Sequence, residues 1–501
     1  MKNSSFCSAH SRKVTMPGLL SYSVVLIAIW GTCIESTLRA QNRTRALRAA
    51  ATVTDITPSY LPIRMAGSMR PNQAQRIHDP LKARILVLDN SLTTLVLGTI
   101  DNCVIPRSVF DQAKLKASAL TGIPTSHMML SATHTHSAPP LTGLFLNDGE
   151  TDYLPLLIDQ IAKGIVKTYR QLEPAQAGWT KTTNPRHVHN RRWHLKPGAT
   201  YENPFGSDAD SVRMNPGYGN PDLKGPAGPT DPDVSILAIA RPDGSPLCIY
   251  ANYSLHYVGG VQGLSADYFG AFANALSLKL KSSGQTRPCI GILSNGASGD
   301  INNLNYALQK APARKALYEQ IQFVANDVAD SVMNAMKDIQ WHSSLPLKSI
   351  EREIPLGVRK PEPHEMDRIH RILKEAQEKD LSRWSQPEIY ARESLLLQDF
   401  PDQVAAKFQV IQIGDLGIMT LPTETFAEIG LQLKNDSPFG KTMIVELANG
   451  YNGYLPTPQQ HAWGGYETWR ARSSYLERQA SIKITDLLSA MAHSLHSSNE
   501  Q

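Results

Sequence analysis

The sequence predicts a single large mixed α/β domain with helices packed around sheet, and three observations carry that expectation. Apolar runs of strand length alternate with stretches of helical period along most of the chain. With 41% hydrophobic and 19% charged residues over 501 positions, the chain has the apolar material for a large core and an ordinary globular composition. Polar motifs rich in glycine and histidine fall where apolar runs end, which is where α/β folds place their chemistry.

The elements follow in chain order. Lys2, Arg12 and Lys13 precede the apolar run 19–30, so residues 1–40 read as an export signal peptide or signal anchor. No later run approaches the roughly 20 apolar residues of a spanning helix. Segments 47–56, 83–88 and 93–100 read as β-rich and open the sheet. A helix over 109–120 leads to the apolar Met128-Met129-Leu130, a buried strand ending at a polar edge. Helical period returns over 153–172, 268–281, 310–337 and 475–495, with strands at 234–240, 289–293, 408–413 and 442–447 between. Two excursions interrupt the pattern. Residues 184–232, rich in Gly, Pro, Asn and Arg, lack a period and are expected to form a long functional loop, while 360–398 is expected to be a solvated helical pair. No internal repeat is visible, so one domain is expected over 41–498.

Charge and cysteine content exclude some classes. The net charge of +5 includes the leader, and a chain beginning near Gln41 would carry about +2. The densest basic group, Arg186, Arg191 and Arg192, is short and interleaved with histidines, so no nucleic-acid footprint is present. Cys7 and Cys33 lie in the leader. Cys103, Cys248 and Cys289 sit beside apolar residues and read as buried thiols, not as a disulfide framework. No motif for a protein partner stands out.

The strongest motif is Ser131-Ala132-Thr133-His134-Thr135-His136-Ser137. On a strand, His134 and His136 would project from one face and could approach one cation, with a hydrogen-bonded strand end as the plainer reading. His256 closes the strand-like Asn252-Tyr253-Ser254-Leu255-His256, and Asp267 opens a helix. After the strand at 289–293 comes Ser294-Asn295-Gly296-Ala297-Ser298-Gly299-Asp300, where Asp300 could orient a ligand histidine. A nucleophile elbow fails there, because Asp300 stands where Gly-x-Ser-x-Gly needs glycine. Glu424, in Leu421-Pro422-Thr423-Glu424-Thr425-Phe426, could offer a carboxylate to a metal or simply occupy a first helical turn. Tyr451, Tyr454 and Tyr466 lie in glycine-rich turns, the usual place of packing tyrosines with a bonded tip. His187, His189 and His194 form a weaker competing metal group, in a loop without a nearby apolar strand.

In chain order these motifs resemble the N-terminal catalytic domain of the neutral/alkaline non-lysosomal ceramidases over most of the chain after the leader. The resemblance implies a zinc ion held by His134, His256, Glu424 and Tyr454, with room for water. It likens Asp267 to the family's downstream acidic motif, and places His136 and Tyr466 against the substrate. In Asn190-Arg191-Arg192, Arg191 corresponds to an active-site arginine. On that basis zinc-activated water attacks an amide carbonyl, His136 handles a proton and Arg191 steadies the oxyanion.

Two features depart from the family. Asn302 in Gly299-Asp300-Ile301-Asn302-Asn303 stands where the family has a serine; an amide can donate to an oxyanion but cannot be a nucleophile. With the sequence ending near the helix at 475–495, no counterpart of the family's C-terminal immunoglobulin-like domain is expected, and neither is anchoring at a lipid surface through it. The expectation is therefore an exported zinc-dependent amide hydrolase acting on a small-molecule or lipid N-acyl substrate, with membrane-surface contact and ceramide both left open. The alternatives are a catalytically impaired zinc-containing binding protein and a hydrolase of another acyl ester or amide.

Overall fold

Along Lys82–Asp89, Ile85 and Val87 alternate with Leu86 and Leu88, and all four are fully buried. A strand apolar on both faces needs a partner on each. Ile85 and Val87 pack against helices, whereas Leu86 and Leu88 enter a core shared between sheets. That division organises the whole structure, a computed structural model describing residues 8–9, 46–207 and 209–497. All but two residues of the expected leader lie outside this range. Among the described residues no helix is long and apolar enough to cross a membrane.

Within the described residues, three large sheets repeat one connectivity. In the first unit β1 (Arg48–Asp55), β2 (Lys82–Asp89) and β3 (Thr94–Ile100) are antiparallel neighbours. Helix α1 (Arg107–Thr121) then leads to β4 (Met128–Ala132), which is parallel to β3, and α2 (Leu154–Tyr169) follows. The short β5 (Glu173–Pro174) pairs with β1. The second unit has antiparallel β6 (Gln176–Thr183), β7 (Asp233–Ala240) and β8 (Pro246–Tyr253). Helix α3 (Asp267–Ser282) precedes β9 (Ile290–Asn295), parallel to β8, and then comes α4 (Glu319–Ala335). The third unit begins with β10 (Leu347–Gly357), followed by the helical pair α5 (Met366–Ala376) and α6 (Gln386–Gln398). It continues with β11 (Gln403–Ile413), β12 (Leu416–Thr420), α7 (Ala427–Asn435), β13 (Lys441–Val445) and α8 (Ala480–Ser497), β12 and β13 again being the parallel pair.

Each sheet turns one face to its own helices. Phe110 and Ile161 cover the first, Phe272 and Val324 the second, Ile429 and Leu488 the third. The other faces meet in one core through Leu86, Leu97, Leu237, Tyr250, Ile411 and Ile418. The absence of a repeat in the sequence is thus corrected at the level of topology. Strand order recurs while the connection from first to second strand differs completely, being 56–81, 184–232 and 358–402 in the three units. The first and third strands of an antiparallel meander run the same way. That connection therefore leaves the sheet at the edge where the third and the parallel strands end, so all three excursions stand over one kind of edge.

Three local expectations need revision. Residues 184–232 include a three-stranded sheet of Val212–Met214, Arg192–Leu195 and Leu223–Pro226, strands too short to show a period. The pair α5 and α6 exists, but α6 is not merely solvated: Ile389 and Tyr390 pack with Phe145 and Leu146, and buried Glu393 pairs with Arg472 at 2.7 Å. The helix expected from 310 starts at Glu319, after Pro312 and a left-handed Tyr318.

A buried ion pair secures the first unit near the site. Arg84 Nη1 lies 2.8 Å from both oxygens of Asp101, in a region where burial raises the Asp101 pKa against the pull of Arg84. Arg84→Ala leaves that carboxyl without its cation, and a loss of about 3–5 kcal/mol is expected in denaturant unfolding. An unchanged midpoint would show that Asp101 is held by its backbone bond from Lys82 alone.

Candidate metal centre

Each unit sends one side chain from its edge to a common point. His134 follows β4, His256 follows β8 and Glu424 follows β12. His134 Nε2 is 2.9 Å from His256 Nε2 and 3.3 Å from Glu424 Oε2, which lies 4.0 Å from His256 Nε2. All three residues are buried. Two groups of metal-capable side chains occur among the described residues: this one, and Cys103 with His134 and His136. The competing histidines do not converge, since His187 bonds Asp327 at 2.9 Å and His194 packs edge-on to Trp463.

The histidine pair reaches this point by a route the strand pattern did not show. β4 ends at Ala132, and His134 adopts the left-handed φ of 73° just beyond it, with its N–H donating to Asn102 O at 2.8 Å. Strand alternation therefore does not orient the two rings. A turn does, and it brings His136 Nε2 to 3.2 Å from His134 Nε2. Leu447 and Asn449, in the loop after β13, also have left-handed φ, the kind of backbone strain that functional sites accumulate. Gly67 is required opposite His136: its φ is +81°, and a Cβ there would lie 2.2 Å from His136 Nδ1. Tyr257 stacks on the other side of the ring at 3.7 Å.

The donor atoms suit a cation. His134 Nδ1 lies 2.8 Å from Cys103 O, and His256 Nδ1 lies 3.2 Å from Ser298 O. A ring nitrogen facing a carbonyl carries the proton, so both Nε2 atoms are left as bare lone pairs. Glu424 Oε1 accepts from the Tyr451 hydroxyl at 2.9 Å, whereas the buried Oε2 has no hydrogen-bond donor. Three lone-pair atoms facing one another without a proton repel unless positive charge sits among them. Without a cation, the titration directions put a single proton in that gap instead. Burial works to lower the His134 pKa, yet Cys103 and the Glu424 carboxylate hold it well above its ordinary value. Burial, then the charges of His134 and Arg191, push His136 and His256 well below theirs. The cluster accommodates one positive charge and rejects a second.

Arg191 stands beside it, fully determined by its partners. Its N–H donates to Asp300 O at 2.8 Å, Nε to Glu467 at 2.8 Å and Nη2 to the Tyr454 hydroxyl at 3.1 Å, while Nη1 lies 3.4 Å from His256 Nε2. Glu467 also takes Arg192 Nη1 at 2.6 Å. Tyr466 packs edge-on to Tyr454, with ring centroids 5.8 Å apart. Tyr454 and Tyr466, with His134, His136, Met69, Val104, Leu144 and Phe145, wall a cleft of about 650 Å³.

The remaining motif residues support this site without entering it. Asp300 bonds no histidine; it accepts from Asn190 Nδ2 at 2.6 Å and from Ala427 N at 2.8 Å, and burial raises its pKa to about 6. Asp267 accepts from the N–H groups of Val258 and Gly259 and so fixes the turn after His256. The Ser298 hydroxyl is buried and donates to Glu446 at 2.6 Å. Asn302 is half-buried and donates to Asn215 at 2.9 Å while accepting from Leu304 N, and neither of these side-chain bonds reaches His134, His136 or His256. Glu446 and Glu467 were missed by sequence reasoning. Glu446 accepts from Ser298 N and Thr425 N as well, and burial pushes its pKa up to about 8. Its one signal was an acid inside the apolar run Met443-Ile444-Val445-Glu446-Leu447; Glu467 gave none.

No family model and no curated protein sequence matches the chain. Among solved structures, a crystal structure of neutral ceramidase from Pseudomonas aeruginosa aligns with a TM-score of 0.65 at 15% identity, over 90% of this chain and 74% of that one. A ceramidase complexed with C2 aligns with a TM-score of 0.66 at 17% identity, over 90% of this chain and 75% of that one. The fold is that of the neutral ceramidases.

Proposed function

We propose that the protein is an exported zinc-dependent hydrolase that cleaves an N-acyl amide bond, with His134, His256, Glu424 and Tyr454 as metal ligands. The observation that carries the reading is the convergence of three buried lone-pair atoms whose proton-bearing sides are tied elsewhere. The ceramidase fold and the basic, apolar leader support the acyl substrate and the export. Zinc in such a donor set supplies Lewis acidity to a carbonyl and lowers the pKa of water.

The chain's own residues divide the remaining work. His136, kept neutral by its surroundings, accepts a proton at Nε2 and returns it to the leaving amine. Arg191, pinned by Glu467, offers its guanidinium to the charge developing on the carbonyl oxygen. Tyr451 orients Glu424, Tyr466 contacts the substrate, and Met69, Leu144 and Phe145 receive the acyl chain. Asn302 supplies no nucleophile, so water is the attacking group.

Chelation tests this reading. Turnover of a panel of N-acyl amides is expected to fall about 100-fold or more after metal removal and to return with added zinc. If zinc-loaded protein cleaves no amide, the non-catalytic zinc-binding reading replaces it.

A further inference from the structure

A second cleft, of about 730 Å³, lies against the first, and Met69 and Tyr466 wall both. Its other walls come from the 184–232 excursion, from Gln386 at the start of α6, and from Gly465 and Trp469. The two clefts differ in chemistry. Val104, Leu144 and Phe145 make the first apolar, whereas Glu202, Asp210 and Arg213 bring charge to the second.

Those three charges are not equivalent. Asp210 is already satisfied, accepting from Trp469 Nε1 at 2.6 Å, Gly465 N at 3.0 Å and Asn203 Nδ2 at 3.3 Å. Glu202 is exposed at the rim. Arg213 is half-buried, its guanidinium 3.8 Å over the ring of Tyr201, whose hydroxyl is fixed to Asp222 at 3.0 Å. Among the described residues no ion pair engages Arg213. A guanidinium held over an aromatic ring and paired with no carboxylate keeps N–H donors for one.

We infer that the substrate's amine half carries a carboxylate that binds Arg213, which makes the substrate an N-acyl amino acid. This rests on the hydrolase reading above. The acyl chain occupies the apolar cleft, the amide lies over His134 and His136, and the amino-acid portion passes Met69 and Tyr466 into the charged cleft. Water adds across the carbonyl carbon–nitrogen bond, its oxygen going to the fatty acid and its proton to the released amine. Arg213 is a specificity-determining residue and takes no part in that step.

The test compares N-dodecanoylglycine with the neutral N-dodecanoylglycinamide on zinc-loaded protein, by turnover and by calorimetric binding. The acid is expected to show a kcat/KM about 10- to 100-fold higher, expressed in KM. Arg213→Gln should bring that ratio close to one, and Arg213→Lys should restore part of it. Equal turnover of both compounds, or a ratio indifferent to Arg213→Gln in a variant with unchanged thermal unfolding, overturns the inference and leaves the hydrolase reading intact. Binding of the acid that depends on Arg213, without turnover of either compound, overturns the hydrolase reading and keeps the acid-recognition site. Neither binding nor turnover overturns both.

Discussion

Glu424→Gln is expected to lower kcat/KM for an N-acyl amide by about a thousandfold or more while leaving the protein folded. The argument rests on what faces Oε2. That atom lacks a donor and looks toward two bare Nε2 atoms, an arrangement that favours a cation. A glutamine can keep the Tyr451 bond through its carbonyl oxygen and turn its amide N–H groups to the histidines. The variant thereby satisfies the pocket by hydrogen bonding alone and removes the negative charge a metal needs. Thermal unfolding without metal should be unchanged or shifted upward, so loss of activity cannot be ascribed to unfolding. Activity within tenfold of the wild type would remove Glu424 from the site.

Arg191→Lys should reduce kcat by about 100- to 1,000-fold with KM little altered, the effect of losing one donor to a developing oxyanion. Arg191 holds Glu467, the Tyr454 hydroxyl and the approach to His256 with three different nitrogens. A lysine ammonium at the end of a flexible stem cannot reproduce that fork. It does keep a positive charge beside Glu467, so the buried carboxylate is not abandoned and the fold should survive. Single-turnover measurements separate the two roles. A KM effect without a kcat effect would make Arg191 a substrate anchor, and no kinetic effect at all would make it structural.

Much of this was legible because burial leaves a periodic mark. Strands such as β2 and β7 are apolar on both faces and read as short continuous runs, and α1 to α4 show helical period because one face of each is covered. His134, His256 and Glu424 could be singled out because each sits where an apolar run stops. Their meeting point came from the family resemblance and not from the pattern of residues, since it depends on three units packing around a shared core. The three units themselves escaped notice because their long, unlike excursions outweigh the common strand order. The turn at His134 was hidden for a different reason: a left-handed non-glycine residue leaves no compositional signal, and alternation along a strand seemed sufficient to pair it with His136. Glu467 lies in a turn whose neighbours suggest only packing, and its role appears when Arg191 and Arg192 arrive from the second unit.

The central claim is that one metal ion is held jointly by the three units, and zinc stoichiometry measures it most directly. Purified wild-type protein should contain about one zinc per chain, and His134→Ala, His256→Ala and Glu424→Ala should each lose it while keeping the thermal unfolding of the chelated wild type. One zinc per chain retained in all three variants would contradict the assignment and place the metal elsewhere.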